Sequence, residues 1–358
     1  MKAPHKKLWV PDMSNYAVPK YSREEVNRSG KVLQNLYGFV DGLSNEIDVI
    51  DNWRAAHAYP LQIFYNTLRY RARKIHRTPL VTQRTKRFVS ILTKLDREPD
   101  MKLSQMQDIG GCRAVLPTLG HVRRLEKVYY TRPFEHEALN HKDYIEHPQK
   151  SGYRSLHLKY KYKGAGEKSV YNDLKIEIQL RTELQHTWAT AVETAGTFTK
   201  QALKSYQGDQ NWLRFFSLMS SIFALREKCP VVPGTSDNQE ELISEIRDLN
   251  ECHQIARSLS GTTAALSHIR TRKKDKFYFL VHLNPSDMNV QLYEYGRDES
   301  QIANKDYIEL ERKALGTNTN VVLVSTSSIK ALERAYPNYF LDARSFLFEI
   351  LRICPGAY

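Results

Sequence analysis

Apolar and polar positions alternate over two stretches in the middle of the chain. In residues 156–163, Leu156, Leu158, Tyr160 and Tyr162 share one side of an extended strand and His157, Lys159, Lys161 and Lys163 the other, since successive strand side chains point to opposite faces. In residues 175–181 the same parity separates Ile176, Ile178 and Leu180 from Lys175, Glu177, Gln179 and Arg181. Apolar runs predict further strands near Leu80 and at 108–116, 276–283, 288–295 and 321–326, with Asn284, Pro285, Ser286 and Asp287 turning the 276–295 pair into a hairpin. Helical spacing appears at 23–37, at 44–75 with Pro60 kinking or dividing it, and in QRTKRFVSILTKL, where Phe88, Ile91, Leu92 and Leu95 form the buried set. Further helices are expected at 120–130, after Arg181, where Thr182 and Gln185 have capping-box spacing, and at 211–228, 240–259, 299–315 and from Ile329. Strands followed by helices in this mixture predict an α+β fold.

The segment CPVVPGTSDNQ, residues 229–239, has the composition of a linker. It divides the chain into an expected larger domain at 1–228 and a small C-terminal α+β module at 240–358. Charge follows the same division. Residues 1–230 hold 38 Lys+Arg against 23 Asp+Glu, or +15, and the rest 15 against 17, or −2, of a total of +13. A basic first part suits polyanionic substrates; the tail suits another task. Cys112, Cys229, Cys252 and Cys354 are too scattered for a disulfide framework or a zinc knuckle, which predicts free thiols. No apolar run reaches the length of a signal peptide core or a membrane span, so a cytoplasmic protein without membrane partners is expected.

The candidate chemistry gathers in four places. Arg84, Lys86, Arg87 and Lys94 flank an apolar helical stripe, a pattern shared by any solvated helix face and by a loop that meets a polyphosphate. Asp108 precedes an apolar strand through Gly110 and Gly111, either as a simple Asp turn or as a ligand-binding carboxylate at a strand end. The stripes at 157–163 and 175–181 combine cations with one central carboxylate, which fits a phosphate-bearing ligand and its metal. His186, Thr190 and Glu193 lie away from the buried stripe of their helix and read as solvated. In the tail, Tyr336, Tyr339 and Phe340 surround Pro337, a cluster whose plain reading is core aromatics.

Taken together, RTKRFVSILTK, DIGGCR, DYIEHPQKSGYRSLH and IEIQLRTELQHTWA, in that order, resemble the synthetase domain of the RelA/SpoT family over roughly residues 40–228. The resemblance implies a mixed-sheet domain flanked by helices that transfers pyrophosphate from ATP to a ribose 3′-hydroxyl with Mg²⁺. It implies that Arg84, Lys86, Ser90 and Lys94 form the ATP loop and that Arg113 contacts ATP phosphates. Asp108 and Glu177 would hold Mg²⁺ or activate the hydroxyl, Tyr153 would stack on the acceptor base, and His157 would face acceptor phosphates. An exposed tyrosine after Ser-Gly suits a stacking platform. The sequence departs from the family pattern at Pro148-Gln149, with the lysine one place later at Lys150 and Ser151 in place of the common Asn. Two acceptors stay open: the 3′ end of tRNA, and GDP or GTP. A synthetase domain followed by a small tail with a YxxY motif, here Tyr336 and Tyr339, also resembles CapRel-type fused toxin–antitoxin proteins of anti-phage defence. That resemblance implies a tail folded onto the active site until a phage protein binds it.

Overall fold

A computed structural model describes residues 11–35, 43–199, 201, 203, 206–263, 276–284, 289–317, 319–326, 328–340 and 342–355. Among these, nine strands form one mixed sheet. Strands β1 (Leu80–Thr85), β2 (Gly110–Leu116), β3 (Glu137–Ala138), β4 (Lys142–Asp143), β5 (Leu156–Lys161), β6 (Lys175–Thr182), β7 (Tyr278–Asn284), β8 (Asn289–Tyr295) and β9 (Asn320–Ser325) run in the order β3-β5-β6-β2-β1-β9-β7-β8, with β4 beside β5. The β2–β6 pair is parallel and the rest are antiparallel. The three strands after residue 239 therefore extend the sheet of the first part instead of making a sheet of their own. The join is narrow: Gln83 pairs with Ser325 and Arg84 with Val324. The β7–β8 hairpin forms as expected, while its turn residues 285–287 lie outside the described ones.

The helices follow the sequence pattern with two departures. Helix α1 spans Arg23–Asn35. The 44–75 run divides into α2 (Ser44–Ala56) and α3 (Ala58–Ile75), which puts Pro60 in the first turn of α3, where a missing N–H costs nothing. The expected helix at 83–95 begins only at Phe88, as α4 (Phe88–Arg97), because residues 80–85 are taken up as a strand between β2 and β9. Helices α5 (Leu119–Thr131), α6 (Glu183–Thr199) and α7 (Gln210–Glu227) follow. The tail helix expected at 240–259 breaks at Gln254, which is left-handed at φ 50°, into α8 (Gln239–His253) and α9 (Ile255–Thr263). Helices α10 (Ser300–Lys313), α11 (Ile329–Ala335) and α12 (Arg344–Ile353) complete the chain, with a single 3-10 turn at Pro337–Phe340 between the last two.

Strand alternation sorts the core onto both faces of the sheet. Val81, Ala114, Leu116, Leu280, Val321 and Leu323 pack with the helices of one side. Leu80, Val115, Phe279, Val281, Val322 and Val324 pack with Leu332, Tyr336, Tyr339 and Phe340 on the other. At roughly 1.5–3 kcal/mol per buried large apolar side chain, this second cluster gives the tail a substantial hold on the sheet.

Candidate active site

The candidate residues collect on the sheet face that the tail covers. Register places Lys159 opposite Glu177, His157 opposite Gln179 and Arg113 beside Gln179, so the polar stripes read from the sequence do share one face. Arg84 and Arg113 come onto it from β1 and β2. At the β1–α4 junction the chain loops back: the Lys86 N–H donates to the Ile109 carbonyl at 2.8 Å. Lys86 and, from the last turn of α4, Lys94 thereby reach Asp108, at 2.6 and 3.0 Å. Burial acts to raise the Asp108 carboxyl, but the two ammonium groups outweigh it and hold it well below the usual carboxylate range. Ser90, half-buried, lies on the same helix.

Glu177 is 6 % exposed. Its Oε1 meets His157 Nδ1 at 3.0 Å and its Oε2 accepts from Gln179 Nε2 at 2.7 Å. Burial acts to raise this carboxyl too, yet the charge and hydrogen bond of His157 keep it well below the ordinary value. His157 is itself raised: burial opposes its charge, while Tyr153 and Glu177 favour it by more. Each group thus favours the charged form of the other. Burial lowers the Lys159 ammonium, partly offset by Glu177.

Tyr153 differs from expectation. It is 6 % exposed, its hydroxyl lies 2.8 Å from His157 Nε2, and Arg181 donates to that hydroxyl as well. The ring is no open platform in this state because α7 clasps the loop before it. Ser220 donates to the Gly152 carbonyl at 2.6 Å, Ser217 to the Lys150 carbonyl at 3.1 Å, and Arg154 Nε to Ser220 at 3.0 Å. Gly152 sits at φ +91°, and a Cβ there would meet Ser220 Cβ and Trp188 Cζ2 at 2.9 Å, so glycine is required. The Lys150 side chain is exposed.

The tail closes the cluster. Pro337 ends α11, and the 3-10 turn that follows puts residues three apart on one side, so the Tyr336 and Tyr339 rings lie together, centroids 6.0 Å apart. Arg84 Nη1 donates to the Tyr339 hydroxyl at 3.2 Å. The Arg84 and Arg113 guanidinium groups lie 5.9 and 5.6 Å from the centre of the Tyr336 ring. Arg113 and Arg181 both donate to Gln179 Oε1 at 3.2 Å. Arginines 84, 113 and 181 are thus crowded together, and burial with the nearby Arg181 charge lowers Arg113 to about 10. An aromatic face, a neutral hydroxyl and the nearby carboxylate of Glu193 satisfy such a group less than a polyphosphate does.

Several participants were not singled out by the sequence. Arg181 appeared there only as one member of a stripe. His186, expected in solvent, is buried, its Nε2 3.0 Å from the Arg334 carbonyl at the end of α11. Burial, then Arg113 and Arg181, lower it to about 3. Thr190 is buried beside it for the same reason, which is that the tail lies over this side of α6. The capping box does form, Thr182 and Gln185 exchanging backbone bonds at 3.2 Å. Among the described residues no three His, Cys, Asp or Glu side chains converge as a metal cage. Asp108 and Glu177 are ionised hard-oxygen donors, which suits Mg²⁺ held by one or two carboxylates and completed by substrate phosphates.

An α+β protein with crowded cations and two carboxylates held below their usual range at one side of its sheet is suited to phosphate-transfer chemistry. Residues 83–202, which include the residues of this face, match the family model described as the region found in RelA/SpoT proteins. The chain is similar to GTP pyrophosphokinase YjbM of Bacillus subtilis, 35% identical over 115 residues that cover 31% of this chain and 52% of that one. An uncharacterized protein of Mycobacterium tuberculosis is 29% identical over 181 residues, 49% of this chain and 59% of that one. The match spans between half and three-fifths of these curated relatives. Among solved structures, small alarmone synthetase 1 from Bacillus subtilis aligns at 23% identity over 51% of this chain and 92% of that one, TM-score 0.41. A GTP pyrophosphokinase family protein from Streptococcus pneumoniae aligns at 22% over 56% and 92%, TM-score 0.40. No described helix is long and apolar enough to cross a membrane.

Proposed function

We propose that this protein is an ATP pyrophosphotransferase whose acceptor is the 3′ end of tRNA, that the reaction blocks translation, and that the turn at 336–340 latches the enzyme shut until a phage protein draws it away. The observation that carries the reading is the set of crowded arginines capped by Tyr336 and Tyr339 beside Asp108 and Glu177. With the latch gone, Arg84, Lys86, Ser90, Lys94 and Arg113 hold the ATP polyphosphate, where positioning and charge neutralisation supply most of the catalysis. Asp108 would hold Mg²⁺, which when bound neutralises charge on the phosphates. The acceptor 3′-oxygen forms a bond to the β-phosphorus, the bond from that phosphorus to the α–β bridging oxygen breaks, AMP leaves, and Glu177 takes the hydroxyl proton. While His157 lies against it Glu177 is a weak base. Acceptor phosphates that draw His157 away restore its basicity, and Tyr153 then becomes free to stack on the acceptor base.

Gln149 stands where the family pattern has lysine, and the +15 first part favours a large polyanion; both support tRNA. A second reading, an alarmone synthetase acting on GDP or GTP, is favoured by the relative named a GTP pyrophosphokinase. Incubating Tyr339→Ala protein with γ-labelled ATP and Mg²⁺, once with bulk tRNA and once with GDP and GTP, separates the two. Label on the tRNA 3′ end supports the first, label on guanine nucleotide the second, and label on neither refutes both.

A further inference from the structure

The loop between β1 and α4 is held from outside by the C-terminal segment, through bonds other than those of the tyrosine latch. Helix α4 lacks a cap of its own: its N-cap residue is Arg87, whose side chain makes no capping bond. The open N–H of Phe88 donates instead to Glu311 Oε1 of α10, at 2.7 Å. Glu311 is 5 % exposed, and its other oxygen accepts from Arg54 Nη2 of α2 at 2.6 Å. Arg54 in turn donates from Nε to the Lys86 carbonyl at 3.1 Å and from Nη1 to Asp51 at 2.8 Å. The Tyr307 hydroxyl donates to Glu311 Oε1 at 3.2 Å and accepts from Arg54 at 2.9 Å. Arg87 is tied to Asn320 of β9. Residues 86–88 thus have two of their outside anchors, Glu311 and Asn320, on the segment that also carries the latch.

We propose that Glu311 is a positioning residue of the nucleotide loop: it caps α4 in trans, so that α10 and β9 complete the site and only the 336–340 turn covers it. The inference rests on the reading of this loop as the ATP loop. A carboxylate at a helix start satisfies a donor that has no intrahelical partner and complements the helix dipole. Here the capped turn leads from Lys86 to Ser90 and on to Lys94, and both lysines already bind Asp108. Fraying this turn loosens all three at once. Release of the enzyme then requires the latch to leave and α10 to stay. Excising the whole tail does not reproduce release; it removes the cap as well.

The test uses the full chain carrying Tyr339→Ala. ATP binding with Mg²⁺ is titrated by calorimetry, and amide exchange is followed at residues 86–92. Adding Glu311→Ala is expected to weaken ATP binding about fivefold or more and to speed exchange at 88–91 while the sheet strands are unchanged. Glu311→Gln, which keeps an oxygen for the Phe88 N–H, recovers part of both. Tyr307→Phe removes a hydroxyl from the same buried group but leaves the cap; it should lower the melting temperature without moving ATP affinity. Unchanged ATP affinity and exchange in Glu311→Ala, or an equal loss of affinity in Tyr307→Phe, overturns the proposal. If the Tyr339→Ala parent binds no ATP, the functional reading fails by itself and with it the role in nucleotide binding, while the exchange data still decide whether Glu311 caps α4.

Discussion

Truncating Tyr339 isolates the latch from the rest of the tail. The ring is 4 % exposed and its hydroxyl takes a hydrogen bond from a guanidinium, so Tyr339→Ala removes from the latched state both a buried aromatic contact and a charge-assisted bond. A hydrogen bond to a charged group contributes about 1.5–3 kcal/mol. Loss of a buried aromatic ring costs about 3–5 kcal/mol when nothing refills the space. These overlap, and part of the ring's burial is recovered by collapse of Phe340 and Leu332, so about 3 kcal/mol is a reasonable net shift towards the open state, or about 150-fold. Apparent ATP affinity scales with the open fraction, so it should tighten by up to about a hundredfold and level off once the open state predominates. Tyr339→Phe, which removes the hydroxyl alone, should give about tenfold, the low end of that range. Calorimetric titration of the three proteins with ATP and Mg²⁺ measures this directly. A folded Tyr339→Ala protein that binds ATP no more tightly than the parent would falsify the latch.

The other predictions concern the cleft and its supports. Asp108→Asn in the Tyr339→Ala background should abolish label transfer from ATP while leaving the melting temperature within a few degrees; full residual transfer would remove Asp108 from the chemistry. Gly152→Ala should cost about 2–4 kcal/mol in denaturant unfolding, from the positive φ and the contacts at 2.9 Å, and an unchanged midpoint would contradict the clasp on α7. The His157–Glu177 pair predicts a pH dependence. The raised His157 contributes stability that is complete below its unfolded value near 6.5 and fades as pH rises through the folded value. The lowered Glu177 contributes above about 4.3 and fades as pH falls through its own folded value. Together they help most between about pH 4.5 and 6.5. The melting-temperature gap between the parent and His157→Gln should therefore be widest there and narrow towards pH 9, and a constant gap would show that the pair is not ionised.

What the sequence disclosed and what it hid differ in range. The alternation in 156–163 and 175–181 placed His157, Lys159, Glu177 and Arg181 on one face, since strand parity is a local property, and the Thr182–Gln185 cap was legible for the same reason. The junction of β9 with β1 was not, because two paired residues far apart in the chain leave no pattern in either strand. Tyr153 follows Ser-Gly, which reads as a mobile loop; its burial depends on Ser217 and Ser220 of α7, two serines indistinguishable in sequence from surface ones. His186 reads as solvated until the end of α11 is laid across it. Glu311 lies in a run of charged residues on an amphipathic helix, and nothing nearby in the chain announces that its partners are Arg54 and the N–H of Phe88.

The central claim is the reaction type, and the nucleotide left behind tests it most directly. Tyr339→Ala protein incubated with ATP, Mg²⁺ and a mixture of tRNA, GDP and GTP should release one AMP for each acceptor modified, read by chromatography of the nucleotides. Release of ADP, or no breakdown of ATP under any of these acceptors, would contradict pyrophosphate transfer.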